Sequence, residues 1–275
     1  MLFPYRVGTK RQQVNALLHL LPIAFGRYIE PMCGNADLFW ALRLSGVCGD
    51  ALLADIDPLI VAAYIGVRDA PHDVVAALES MERTHEAFRR YRKETPEMPH
   101  GEAARAIYLG ALSFNGTWRF NRRGHFSSSY NHRPERVPKA ETILRASSFL
   151  QGIDVRCCDY EEATSHAQKN DLVYFDPPYY GGSRMYRDRF DHERLRRVAD
   201  DLHRRGVYVM VSYRAHPHID ALYEGWNRIV VPVRQNAPGD SRLRGYVQDV
   251  AYLSYGTVAH SLLDIVSLSR ETGVS

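Results

Sequence analysis

The chain is poor in the features that export, membrane insertion or metal binding would need. Its four cysteines, Cys33, Cys48, Cys157 and Cys158, make no C-x-x-C pair and no spacing suited to a secreted disulfide framework, so a reducing cytoplasm is expected. No uninterrupted apolar span of about 18 residues occurs, and Met1 to Arg11 has no apolar export core, so neither a membrane partner nor secretion is expected. His216 and His218 are separated by Pro217 with no cysteine or carboxylate cluster close in sequence, so no metal is expected. There is no internal repeat and no low-complexity tract, and Ser269 to Ser275 reads as a frayed tail. Net charge is only +3. Hydrophobic residues make up 45% and charged residues 24%, which is enough apolar matter for a full core and too little charge for disorder.

What is present begins with Asp176-Pro177-Pro178-Tyr179, directly after the apolar run Asp171 to Phe175. Two prolines hold the backbone extended just past a strand, so the Asp176 carboxylate and the Pro177 carbonyl can face one small donor. An exocyclic amine has two hydrogens to give, and Tyr179 offers a flat face to an aromatic base taken out of its stack. The pattern suits methyl transfer to a nucleobase amino group. The plain alternative is a proline turn that ends a strand.

A strand at Arg27 to Glu30 runs into Pro31-Met32-Cys33-Gly34-Asn35-Ala36-Asp37, and Leu38 to Leu44 follows at helical spacing. Strand, glycine turn and helix open an α/β nucleotide site. A second strand, Ala51 to Ile56, brings Asp55 21 residues after Gly34, the spacing at which an acid meets a ribose. The competing role for this segment is a helix cap before Pro58, which Asp57 fits better. From Ala63 to Arg145 the pattern is charged and helix-periodic, including Glu86 to Lys93 and Glu102 to Leu112, and reads as an insertion. Strands resume at Ile153 to Cys157, Leu172 to Phe175, Val207 to Ser212, Arg228 to Val233 and Val247 to Tyr255, with a helix over about His192 to Arg205. A mainly parallel sheet is expected, its last two strands antiparallel. The segment Arg119 to Lys139 carries six basic residues against the single acid Glu135, interleaved with aromatics, which favours nucleic acid over a merely solvated face.

Taken in order, these segments resemble the Dam family of D12 class adenine-specific DNA methyltransferases. Tyr28 to Phe39 is similar to the family's [FV]-x-E-P-F-x-G-x-G-x-x-F cofactor loop, and Ala54-Asp55-Ile56-Asp57 to its A-D-I-N acid. The run Phe114-Asn115-Gly116-x-x-Arg119-x-Asn121-x-x-Gly124-x-Phe126 resembles its DNA-reading element, and Asp159-Tyr160 with Asp176 to Tyr179 completes the set. The resemblance implies a Rossmann-like S-adenosylmethionine-dependent sheet, with residues 1–62 and 146–275 as core and 63–145 as an inserted, mainly helical target-recognition subdomain. It implies S-adenosyl-L-methionine as cofactor, bordered by Gly8, Lys10, Glu30, Pro31, Gly34, Asp55, Asp159, Tyr160 and Asp176. For Asp159 a helix-capping role before Glu161 is a serious rival.

The implied reaction is methylation of the 6-amino group of a flipped adenine in double-stranded DNA, with Asp176, Pro177, Pro178 and Tyr179 as the catalytic set. DNA would be met by Phe114, Asn115, Arg119, Asn121, Arg122, Arg123 and Arg133, with Arg119 on a guanine edge, Phe114 wedged between bases and the other arginines on phosphates. Arg242 and Arg244 would add phosphate contacts. A cognate restriction endonuclease is a partner to look for. Three departures stand out: Ala36 in place of the second loop glycine, Tyr5-Arg6-Val7-Gly8-Thr9-Lys10 in place of K-W-A-G-G-K, and Ser127 to Ser129 in place of N-V-P. The recognition sequence is therefore left open. Cytosine-N4 or RNA adenine methylation, and a DNA-binding homologue without turnover, are the alternatives; aspartate rather than serine before the prolines disfavours the cytosine reading.

Overall fold

The structure is a computed structural model, and it describes residues 10, 13–116, 118–121, 125–131, 134–181, 190–231 and 248–256. Gly8, Arg122, Arg123, Arg133, Arg242 and Arg244 lie outside the described residues. In chain order the elements are α1 (Val14–Leu18), β1 (Tyr28–Glu30), α2 (Asp37–Leu44), β2 (Ala51–Asp55), α3 (Pro58–Asp69), α4 (Pro71–Ser80), α5 (His85–Tyr91), α6 (Pro99–Leu112), α7 (Ala140–Leu150), β3 (Asp154–Cys157), α8 (Tyr160–Thr164), β4 (Leu172–Phe175), α9 (His192–Arg204), β5 (Tyr208–Arg214), α10 (Pro217–Leu222), β6 (Asn227–Val231) and β7 (Asp249–Leu253). The fold is α/β, with one seven-stranded sheet in the order β3-β2-β1-β4-β5-β7-β6. No helix of the described residues is long and apolar enough to cross a membrane.

Two compact units emerge, one built on Cys33–Ala36 and Leu53–Asp159, the other on Lys10–Met32, Asp37–Leu52 and the chain from Tyr160 onward. In the second unit β4 lies parallel to β1 and β5, and β7 runs antiparallel to β5 and β6, as the alternating runs of the sequence predict. A parallel strand covered on both faces must be apolar throughout. Leu172, Val173, Tyr174 and Phe175 are accordingly all buried, each stabilising the fold by about 1.5–3 kcal/mol of apolar burial. The Tyr174 hydroxyl shares a hydrogen bond of 2.9 Å with Ser212 on β5. Because β7 is antiparallel, its first residue, Asp249, stands opposite Arg214 at the carboxyl end of β5. That edge is where ligands bind in open α/β sheets.

The first unit is mostly helical. Helix α6 is buried along most of its length and packs on α3, where Gly66 faces Ala103 so closely that a Cβ on Gly66 would collide with the Ala103 methyl. Arg68 on α3 donates to the Ile153 carbonyl at 2.8 Å, and Gln151 donates back to the Arg68 carbonyl at 2.8 Å. Helix α10 is an addition to the sequence reading, which marked no helix there, whereas α4 and the first half of α7 fall within the helix-periodic span 63–145.

Candidate active site

Strand β4 delivers Asp176 at its carboxyl end. Pro177 and Pro178 have no N–H for a ladder, so the strand stops there. The Asp176 side chain is 22% exposed, and its Oδ1 lies 2.8 Å from the Nζ of Lys10, itself only 7% exposed. Lys10 also donates to the Tyr179 hydroxyl, and its backbone N–H donates to Asp37 at 2.7 Å. The Tyr179 hydroxyl donates in turn to Asp249 Oδ2 at 3.2 Å, an oxygen that also accepts from Gln13. The Arg214 guanidinium sits 5.3 Å from the Tyr179 ring centre and 3.9 Å from Asp249 Oδ1. Lysine, tyrosine and three acids therefore converge on the end of one strand.

Burial pushes the Asp176 carboxyl above the usual carboxylate range; the Lys10 ammonium pulls it back, and Asp249 and Asp37 push it further up. Burial alone would lower Lys10, but the Asp176 carboxylate and Tyr179 outweigh it and hold the ammonium protonated. Tyr179 is pushed up to about 12 by burial and the negative charge of Asp176. Beneath them Glu30, 3% exposed, accepts from the Tyr28 hydroxyl at 2.8 Å. Burial lifts Glu30 well above the usual range, an effect eased by the hydrogen bond from Tyr28. Glu30 is turned inward against Tyr28, and Pro31 beside it is buried. Gln13, Asp37 and Asp249 were missed in the sequence because each is separated from Asp176 by long stretches of chain.

In the first unit the glycine turn lies against the carboxyl end of β2. The Gly34 N–H donates to Asp55 Oδ2 at 2.9 Å, the Asp57 N–H to Asp55 Oδ1 at 2.9 Å, and the Cys33 N–H to the Ala54 carbonyl at 2.9 Å. Tyr64 on α3 donates to the Gly34 carbonyl at 3.1 Å. Gly34 has φ +46°, and the space a Cβ would enter there is open, so a ligand can approach the backbone. Ala36 also has positive φ, 48°, and is buried, which places an alanine where the backbone asks for glycine. Asp57 caps α3 by accepting from Leu59 N–H at 3.0 Å, which leaves Asp55 to the loop. Ile56, between the two acids, is 74% exposed. Carboxylate, open glycine backbone and exposed apolar side chain together fit a nucleoside.

Asp159 is half-buried immediately before α8, whose first turn holds Glu161 and Glu162. Tyr160, the first residue of α8, is 7% exposed and packs edge-on to Phe175 with ring centres 6.2 Å apart. It is a core aromatic of the second unit. His216 accepts from the His218 N–H at the start of α10, and both rings lie against Tyr180, at 4.6 and 4.5 Å.

The arginine-rich element of the first unit is a hairpin. Phe114 N–H donates to Ser129, Ser127 N–H to Arg119 and Asn121 N–H to His125, all main-chain bonds of 2.7–2.9 Å. Its aromatics divide: Trp118 and Phe126 are buried with ring centres 5.7 Å apart, while Phe114 and Phe120 are 57% and 41% exposed. Arg119 is exposed, and so is Asn115, whose φ of 53° turns the chain. The side chain of Asn121 accepts from His125 N–H at 3.1 Å.

Residues 7–236 match the family of D12 class N6 adenine-specific DNA methyltransferases, so the chain belongs to that family and is a methyltransferase by class. It is 27% identical over 269 residues to the type II methyltransferase M1.LlaDCHI of Lactococcus lactis subsp. cremoris, covering 90% of this chain and 93% of that one. It is 24% identical over 265 residues to the DNA adenine methylase of Vibrio cholerae, with coverage of 90% and 93%. The solved structure of SMU.472 complexed with SAH aligns over 92% of this chain and 54% of its own at 11% identity and a TM-score of 0.37, too distant to carry weight. The cofactor of this class is S-adenosyl-L-methionine.

Proposed function

We propose that the protein transfers a methyl group to the 6-amino nitrogen of an adenine flipped out of a short, specific site in double-stranded DNA. The observation that carries this reading is the carboxylate of Asp176, set at the end of a buried strand directly before two prolines, still 22% exposed and 2.8 Å from the Lys10 ammonium. An ammonium in that place marks a seat for a cationic nitrogen.

S-adenosylmethionine supplies an electrophilic methyl group. The adenine amine is a weak nucleophile because its lone pair is shared with the ring. Asp176 and the Pro177 carbonyl accept its two hydrogens, favour the pyramidal nitrogen and stabilise the positive charge it gains during attack. Tyr179 offers its ring to the extruded base, and stacking worth about 1–3 kcal/mol offsets part of the unstacking cost. Asp55 accepts from the ribose hydroxyls while Gly34 admits the cofactor to the backbone, with Asp159 of the same unit accepting from its adenine. Residues 63–145 form the target-recognition part. There Arg119 reads a base edge, Phe114 wedges into the stack and Asn115 meets DNA beside them.

Labelled-methyl transfer to unmethylated genomic DNA tests this. Wild type should label adenine, and Asp176→Ala should abolish labelling while cofactor affinity by calorimetry stays within about threefold. Substantial turnover by Asp176→Ala would remove Asp176 from its role. Wild-type DNA binding with no transfer to any DNA would make the chain a non-catalytic binder.

A further inference from the structure

The acid that begins β7 has no place in the chemistry so far, yet it is among the best-held side chains of the second unit. Asp249 is 6% exposed and accepts from Gln13 and from the Tyr179 hydroxyl through one oxygen, with Arg214 at 3.9 Å from the other. Its backbone is fixed on both sides, opposite Arg214 on β5 and Val231 on β6. An edge that rigid is a platform for positioning rather than a surface for chance ion pairing.

Proton counting gives the network a direction. An ammonium has donors only, so the Lys10 bond to Tyr179 uses a phenol lone pair. The phenol proton must then find another acceptor, and Asp249 Oδ2 at 3.2 Å provides it. Lys10 thus touches Asp176 directly and Asp249 through one phenol. The ammonium lies 2.8 Å from Oδ1 of Asp176, so where it is held bears on how that carboxylate meets an incoming amine.

We infer that Asp249 is a positioning residue for methyl transfer: by taking the Tyr179 proton it fixes the phenol ring and the Lys10 ammonium, and so determines which face of Asp176 is open to the base. This rests on the reading of Asp176 as the acceptor of the amine. Asp249 touches no reacting atom and acts through Tyr179 and Lys10. Its negative charge also helps hold the Asp176 carboxyl up, so its removal has a titration signature that mere loss of packing does not.

The test is steady-state methylation by Asp249→Asn, Tyr179→Phe and the double variant across pH 4–9. Asp249→Asn should lower kcat by about tenfold or more, with KM for S-adenosylmethionine unchanged within about twofold. The acid limb of its pH profile should move to lower pH, and adding Tyr179→Phe should cost less than it does alone, because the phenol has already lost its acceptor. Unchanged kcat, or a loss with the acid limb unmoved and independent effects, overturns the inference. Should Asp249→Asn fail to fold, Tyr179→Phe alone decides: it keeps the ring and both charges, so a kcat equal to wild type overturns the network. Wild type that methylates no DNA would defeat the functional reading itself, whereas active wild type with an equally active Asp249→Asn defeats only this inference.

Discussion

Single residues carry opposite demands in this protein. Ala36 holds φ 48°, a region that costs an L-residue roughly 1 kcal/mol, and the sequence had flagged it as the odd member of the glycine loop without showing the sign of its φ. Ala36→Gly should raise stability by about 0.5–1 kcal/mol in urea titration, and a loss would mean that the methyl packs better than the backbone suffers. Glu30 carries the opposite lesson. Its acid stands in a segment that resembles a cofactor loop, but its burial against Tyr28 was not legible, because strand residues of either face look alike in sequence. With a folded pKa well above that of the unfolded chain, Glu30 contributes stability that is full below the usual carboxylate range and is lost as pH rises through the folded value. Glu30→Gln, always neutral, should therefore lose less thermal stability than wild type between pH 5 and pH 9. Parallel pH dependence in the two proteins would show that Glu30 does not titrate there.

At the scale of elements, the strands were readable because buried parallel strands leave continuous apolar runs, as Leu172 to Phe175 does. Helix α10 was hidden because six residues capped by His216 give too little periodicity to see. The DNA-reading element was picked out by its residues, but its hairpin form and its division into buried Trp118 and Phe126 and exposed Phe114 and Phe120 depend on packing that spacing alone does not fix. Arg119, exposed on that hairpin, should read one base pair. Arg119→Ala is expected to cost about 1–3 kcal/mol of binding to the preferred site and to relax preference at that position only, measured by competition among site variants. A uniform loss across sequences would make it a phosphate contact. In the α3–α6 packing, a methyl on Gly66 meets Ala103, so Gly66→Ala should destabilise by about 1–3 kcal/mol in spite of its better helix propensity. Equal or greater stability would show that the two helices can part without cost.

On the scale of the molecule, family membership over residues 7–236 was legible from the order of several modest motifs, none sufficient alone. The polar chain from Asp176 to Asp249 was not, since Gln13 and Asp249 lie 236 residues apart and meet only because the antiparallel β7 enters beside β5. The same topology collects Asp176, Tyr179, Arg214 and Asp249 on the carboxyl edge of the second unit's strands. The most direct measurement is single-molecule sequencing of DNA from cells that express wild type or Asp176→Ala. Wild type should leave 6-methyladenine in one short fixed context that the variant leaves unmodified. Methylated cytosine, or the same adenine mark in both samples, would contradict the account.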